Sequence, residues 1–263
     1  MIIDRFGTTY ATATQIPQAG GSQDLGVGPT QAPMVELPGG GGFDALGSDQ
    51  ARGRLSELVV RGNLDAASES ALDTAWAPFR ALLGTRNKLW ALMGNGSQRW
   101  KWARLLEEPA LSEAVHVDWQ PLTLRFQLES EVWQGAAHSE VTGLDESPQA
   151  CGAPNNGNAP VRDAVFTLTA AGTPITAVTV TMTGVSQFTW TGSIGVGKSL
   201  VIDCGAGTVK NDGADAYSTF ALTANHKIRE WLRLAAGLNS VLVARSGGSS
   251  ASTVTIAYND GWM

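Results

Sequence analysis

Residues Trp231–Met263 read WLRLAAGLNSVLVARSGGSSASTVTIAYNDGWM, and this closing stretch decides the fold class. Ser240–Arg245 and Thr253–Tyr258 are β-branched, alternating runs. In the second, Val254, Ile256 and Tyr258 fall on one side and Thr253, Thr255 and Ala257 on the other. Gly237-Leu-Asn239 supplies a turn before the first run, and Gly247–Ser252 a turn-forming loop between the two. A chain that closes on such a hairpin is expected to end in an all-β domain, its last strand returning to the core. The stretch holds no catalytic constellation.

Working upstream, strand patterns recur at short spacing: Ala164–Thr169, Ile175–Met182, Gln187–Thr191, Ser199–Asp203 and Tyr217–Leu222. With the closing pair they predict a β-sandwich or jelly roll of seven or eight strands. Residues 135–160 are turn-rich (Ser147-Pro-Gln-Ala-Cys-Gly-Ala-Pro-Asn-Asn-Gly-Asn-Ala-Pro160) and read as a join. The expected organisation is therefore an N-terminal domain over 1–135, a linker over 136–155 and a C-terminal domain over 156–263.

The N-terminal part reads as mainly β with one helix. Ile16–Gly21 and Leu37–Phe43 are breaks, the second with four consecutive glycines that form either a mobile loop or a point of close chain approach. Gly53–Gly62 reads as a strand. Ser68 or Ser70 caps a helix with Leu72, Trp76, Phe79 and Leu83 on one face, Gly84 stops it, and Pro78 is expected to kink or split it. Lys88–Met93, Gly94-Asn-Gly96 and Gln98–Leu106 form a hairpin pattern. Trp100, Trp102 and Arg104 share one face of its second arm, while Arg99, Lys101 and Ala103 share the other. A strand with one buried and one solvated face is the expectation; a stacking platform for single-stranded nucleic acid is the alternative. Trp119–Glu129 alternates through Leu122, Leu124, Phe126 and Leu128, and Trp133 ends the unit.

The 263 residues are 43% hydrophobic, with nine Trp, 31 Gly and 11 Pro. That suffices for real cores and favours turns over helix bundles. The net charge of −6 is unevenly placed: residues 51–109 carry nine bases and six acids, residues 110–150 seven acids and one base. No stretch has the dense Lys/Arg footprint of phosphate-driven binding, so sequence-specific nucleic-acid recognition is not expected. The N-terminus lacks a secretory pattern, and no apolar run approaches a membrane span, so a soluble product made in the cytoplasm is expected. Cys151 and Cys204 lack metal-ligand spacing; free thiols are expected, with a disulfide between them as the alternative.

Gly192-Ser-Ile-Gly-Val-Gly-Lys198-Ser199 fits the phosphate-loop pattern. That mechanism needs a helix to follow, and Leu200–Cys204 is strand-like, so a glycine-rich hairpin turn is expected. His116, His138 and His226 lie in no nucleophile or metal pattern. The carboxylate pairs Glu129/Glu131 and Asp145/Glu146 read as solvated acids. No catalytic, cofactor-binding or metal residues are expected, and no enzyme.

The order of features resembles the siphophage distal tail protein (Dit) family. In the N-terminal half the resemblance is carried by Leu37-Pro-Gly-Gly, Phe43-Asp-Ala-Leu-Gly47, the helix and the Lys88–Leu106 hairpin. In the C-terminal half it is carried by Asn156-Gly-Asn-Ala-Pro160, Gly192-Ser, Ser199–Asp203, Val209, Gly213, Trp231-Leu, Gly237-Leu-Asn239, Val254–Tyr258 and Trp262. Ala236 replaces the usual Pro of the family's turn. Related tail proteins of gene transfer agents share this outline. The resemblance implies a structural virion protein of the tail tip and baseplate, assembled in the bacterial host cytoplasm. It implies a homohexameric ring (belt) of N-terminal domains around the tail lumen, joining the tail tube protein to a trimeric tail hub and leaving a channel for DNA, with a galectin-like β-sandwich outside. Two alternatives are a carbohydrate-binding tail-tip module, with Trp190 or Trp231 as its platform, and a tail tube subunit.

Overall fold

The structure is a computed structural model. It describes residues 2–7, 14–15, 23–24, 34–36, 43–45, 57–65, 68–106, 110–111, 119–129, 132–182, 186–222 and 231–263. The chain divides into two compact units at Trp133/Gln134.

The first unit is built from strands β1 (Ile2–Phe6), β2 (Glu57–Asp65), β3 (Arg86–Leu92), β4 (Gln98–Leu105) and β5 (Trp119–Leu128), with helix α1 (Glu69–Ala81). The strands pair antiparallel in the order β1-β3-β4-β5-β2. Alternation sends Leu89 and Ala91 of β3, Ala103 and Leu105 of β4, and Leu124, Phe126 and Leu128 of β5 to the core. They meet Ile3, Phe6, Leu58 and Val60 from the outer strands, and Phe79 and Leu82 from the helical segment. Ser68 caps α1 by accepting the Ala71 N–H at 3.2 Å. The helix runs unbroken through Pro78, which is neither a break nor its end. The helix ends at Ala81 with Leu82 as its C-cap, before Gly84, whose φ is +69° and whose N–H donates to the Leu105 carbonyl of β4 and not to the helix. Leu83, assigned to the helix face by spacing, lies beyond the helix and is exposed. The expected hairpin forms, turning through Gly94–Gly96. The four-glycine run and the Ile16–Gly21 break lie outside the described residues.

The second unit is a two-sheet β-sandwich. Its strands are β6 (Trp133–Gly143), β7 (Gln149–Asn155), β8 (Val165–Thr169), β9 (Ile175–Met182), β10 (Ser186–Ile194), β11 (Ser199–Asp203), β12 (Thr208–Asn211), β13 (Phe220–Leu222), β14 (Gly237–Gly247) and β15 (Thr253–Trp262). One sheet runs β6-β15-β8-β11-β12, with Ala214–Asp215 on its outer edge; the other runs β7-β14-β9-β10-β13. Their inner faces meet in one apolar core. Phe166 of β8 packs edge-on against Phe188 of β10 across the two sheets, with ring centroids 6.0 Å apart. Burying each such side chain contributes about 1.5–3 kcal/mol.

Three expectations are corrected here. Residues 136–155 are not a linker: they form most of β6 and all of β7. Their small residues read as turn material, yet β7 pairs with β14 over seven consecutive positions, from Gln149↔Val243 to Asn155↔Gly237. The closing strands do not form a hairpin either. β14 lies in one sheet and β15 in the other, because the Gly247–Ser252 loop crosses the core edge instead of turning back. Gly247 and Gly248 both take positive φ, and Ser252 is fully buried as the loop enters β15. The Gly195–Lys198 turn likewise joins β10 of one sheet to β11 of the other, so it is an arch and not a hairpin turn.

Candidate functional site

The outer face of β1-β3-β4 carries alternating cations and tryptophans. Register places Arg5 opposite Trp90, Trp90 opposite Trp100, Lys88 opposite Trp102 and Arg86 opposite Arg104. Side chains directly opposite share a face. Each ring is covered by a cation: the Arg5 guanidinium is 4.8 Å from Trp90, the Lys88 ammonium 4.0 Å from Trp100 and the Arg86 guanidinium 4.1 Å from Trp102. Trp100 and Trp102 meet edge-on at 5.5 Å. Arg86 and Arg104 both donate to the Glu129 carboxylate. Burial alone would raise the pKa of that carboxyl, but the hydrogen bonds and charges of the two arginines outweigh it and hold the group below its ordinary range. Lys88 is pushed down by burial. These cations already occupy ring faces that a stacked base would need, which argues against the nucleic-acid platform. The opposite face of β4 is the core side, and Lys101 is buried there over the Trp133 ring at 5.3 Å.

In the second unit, the motifs that carried the resemblance meet in one polar knot. Asn155, 1% exposed, donates to the carbonyls of Ala159 and Ala235 and accepts the N–H groups of Gly157 and Gly261. Asn239 accepts the Ala235 N–H and donates to Ala153, Ala235 and Gly237 carbonyls. Val161 and Leu234 exchange backbone hydrogen bonds of 2.8 Å. A Cβ on Gly157 would collide with the Gly261 carbonyl, so β15 lies against backbone there. Asp260 is buried and accepts from the Asn156 N–H at 2.8 Å; its carboxylate lies 3.0 Å from His138 Nε2. The His138 ring stacks on Tyr258, whose hydroxyl donates to the Pro154 carbonyl.

The residues weighed for chemistry do not converge. Asp203, which ended the phosphate-loop lookalike, caps the following turn through the Ala206 N–H. Lys198 pairs with Asp212 at 2.9 Å, and the Gly197 and Lys198 amides donate to backbone carbonyls. Both cysteines are free and buried. Burial pushes the Cys151 thiol up, and burial with the Asp203 charge pushes Cys204 to about 12, so neither supplies a thiolate at neutral pH. Asp145 and Glu146 are exposed. His116, His226 and Glu131 lie outside the described residues. Of the two tryptophans named as platforms, Trp190 is 2% exposed and belongs to the core. Trp231 is half-buried and stacks on Phe220 at 5.0 Å. The residue missed is Tyr217, 49% exposed, on the short 3-10 turn Tyr217–Thr219 at the rim of an open groove of about 430 Å³. The strand-like pattern of Tyr217–Leu222 concealed that turn.

Comparison with known proteins agrees with this architecture. Residues 156–262 match the siphovirus-type tail component, C-terminal domain. The crystal structure of the SPP1 Dit protein, described as a paradigm of hub adsorption apparatus in Gram-positive infecting phages, superposes with a TM-score of 0.56 at 12% identity, covering 87% of each chain. Two structures of the phage p2 baseplate in its activated conformation align more loosely. The strontium form gives TM-score 0.43 at 7% identity, covering 89% of this chain and 87% of that one. The calcium form gives 0.46 at 7% identity, covering 98% of each. No curated protein sequence matches. The resemblance to distal tail proteins therefore holds: residues 156–262 match the siphovirus-type tail component's C-terminal domain, and the chain has the fold of SPP1 Dit. The second unit is a galectin-like sandwich within that fold.

Proposed function

We propose that this chain, a siphovirus-type tail component by its C-terminal domain, is a distal tail protein whose first unit assembles into a homohexameric ring at the tail tip. The ring joins the tail tube to the tail hub and leaves a channel for DNA, while the sandwich stands outside as a module. The protein acts as a scaffold and not as an enzyme, is assembled in the host cytoplasm and needs no cofactor. The observation that carries this reading is the Trp–Lys–Arg face of the first unit. A ring needs a heterologous contact between unlike patches. The segmental charge supplies both signs: an excess of bases over 51–109 and of acids over 110–150. Aromatic and arginine side chains are also the residue types enriched at interface cores.

Mass photometry and negative-stain imaging of the purified full chain test it. Discrete six-membered rings are the expected result. Long polymers would favour a tail tube subunit, and monomers at every concentration would overturn ring formation by the chain alone. Lys88→Glu should shift rings toward monomers, lower the stability of the first unit by about 1 kcal/mol through the lost contact with Trp100, and leave the melting of the second unit unchanged.

A further inference from the structure

Lys88 of β3 sits among three indoles. Its ammonium lies 4.0 Å from the Trp100 ring, 5.8 Å from Trp102 and 5.9 Å from Trp90. The neighbouring arginines differ, because Arg86 and Arg104 both reach the Glu129 carboxylate. No carboxylate pairs with Lys88 among the described residues, although half-burial has stripped part of its water and lowered its pKa. The ring faces replace some of that lost solvation, and a carboxylate brought from outside would replace more.

The second unit displays two unpaired acids on a rigid mount. The turn between β6 and β7 carries Asp145 and Glu146, both exposed and neither joined to a cation among the described residues. Arg245 of β14 fastens that turn at two points. Its guanidinium donates to the Leu144 carbonyl at 3.2 and 2.6 Å, and its backbone N–H and carbonyl each bond the Ser147 hydroxyl at 2.9 Å. The Leu144 N–H donates to the Ser252 carbonyl at 2.8 Å, and the Glu146 N–H to the Gln149 side chain at 3.3 Å. The two carboxylates are thus presented with little backbone freedom left to lose on docking.

We propose, on the premise that the chain forms rings, that the Asp145–Glu146 turn of one copy docks on the Lys88 indole cage of the next. A heterologous contact joins two unlike patches of the same chain. These two are opposite in charge, and both lack a partner among the described residues. A carboxylate entering beside the Trp rings meets the ammonium in a partly dry site, where their attraction exceeds that in water. The contact is directional: each copy gives its acidic turn to one neighbour and its cage to the other.

The test is zero-length carbodiimide cross-linking of the full chain, assembled from equal parts of unlabelled and heavy-nitrogen protein. Mass spectrometry should find Lys88 joined to Asp145 or Glu146 in peptides that pair one light half with one heavy half. Asp145→Asn with Glu146→Gln should raise the concentration of half-assembly by about tenfold, and Lys88→Met by about the same. All three together should add less than about threefold more, since they remove one shared contact. Lys88→Glu combined with Asp145→Lys and Glu146→Lys should assemble within about threefold of the unaltered chain. Melting curves check folding. If Lys88→Met melts early, Asp145→Asn with Glu146→Gln decides, since both side chains are exposed. Rings that form without the cross-link, or that ignore the loss of both acids, overturn this contact and leave ring formation standing. Monomers at every concentration overturn both.

Discussion

Tryptophan is used in opposite ways in the two units. In the first, Trp90 and Trp102 are half-buried and Trp100 is 7% exposed on the sheet face opposite Leu89 and Ala103, each ring under a cation. In the second, Trp190 is sealed between the sheets among Phe188, Ile194 and their neighbours. Period-two alternation is the same in both places, so alternation tells which residues share a face but not which face is dry. The difference lies in the intervening residues. Leu89, Ala91, Ala103 and Leu105 are apolar and claim one face of the sheet as core, leaving the larger rings on the other face, where cations cover them.

The sharpest way to break this contrast is to truncate one tryptophan from each region. Trp190→Ala should cost about 3–5 kcal/mol in the melting of the second unit. Trp102→Ala should cost only about 1 kcal/mol in the first, from lost cation and edge-on contacts. Equal losses in thermal denaturation would refute the assignment of half-buried and fully buried roles. A smaller effect probes the polar knot. Asn239→Ala strands the Ala235 N–H and a buried carbonyl and should destabilise the second unit by about 2–3 kcal/mol, with the first unit unaffected.

The smallest effect is a pair of opposite pH slopes. The folded pKa of Glu129 is lowered, so its stabilisation of the first unit is present above the ordinary carboxylate pKa and lost as pH falls through the folded value. Its loss in Glu129→Gln should be below about 1 kcal/mol and salt-sensitive, as for other largely surface ion pairs. The folded pKa of Asp163 in the second unit is raised, mainly by burial and further by Asp203, against its own backbone hydrogen bond and that from Gln134. Its contribution is therefore present below the ordinary carboxylate pKa and lost as pH rises through the folded value. Melting each unit from acid to neutral pH, with Asp163→Asn as the control that flattens the second slope, checks both signs.

Much of the fold was legible in the chain. Val254, Ile256 and Tyr258 do face the core, Ser68 does cap the helix, and the Lys88–Leu106 hairpin is present. Sheet membership was not legible, because a six-residue loop that turns and one that crosses differ only in the backbone angles at Gly247 and Gly248. The strands over 136–155 were missed for a related reason. Gly, Ala, Pro and Asn score poorly as strand formers, but strand preference measures fit to a half-buried surface. Here Asn155, Cys151 and Ala153 are placed by partners far along the chain. The tyrosine at the groove rim was hidden by the same non-locality: its backing rings, Phe220 and Trp231, are eleven positions apart in sequence.

One further consequence follows from the neighbouring places of β6 and β15. The Leu144 N–H donates to the Ser252 carbonyl at one end of this pair, and Gly135 lies against the Trp262 ring at the other. The chain thus enters the sandwich at Gln134 and completes it at Trp262 in the same corner. Tension between those two points would peel the pair apart like a zip, one ladder bond at a time, starting at Gly135. A load spread over the faces of the sheets would instead meet all the bonds of a ladder together. The sandwich is thus mechanically soft to a pull at its root and stiff to pressure on its sides.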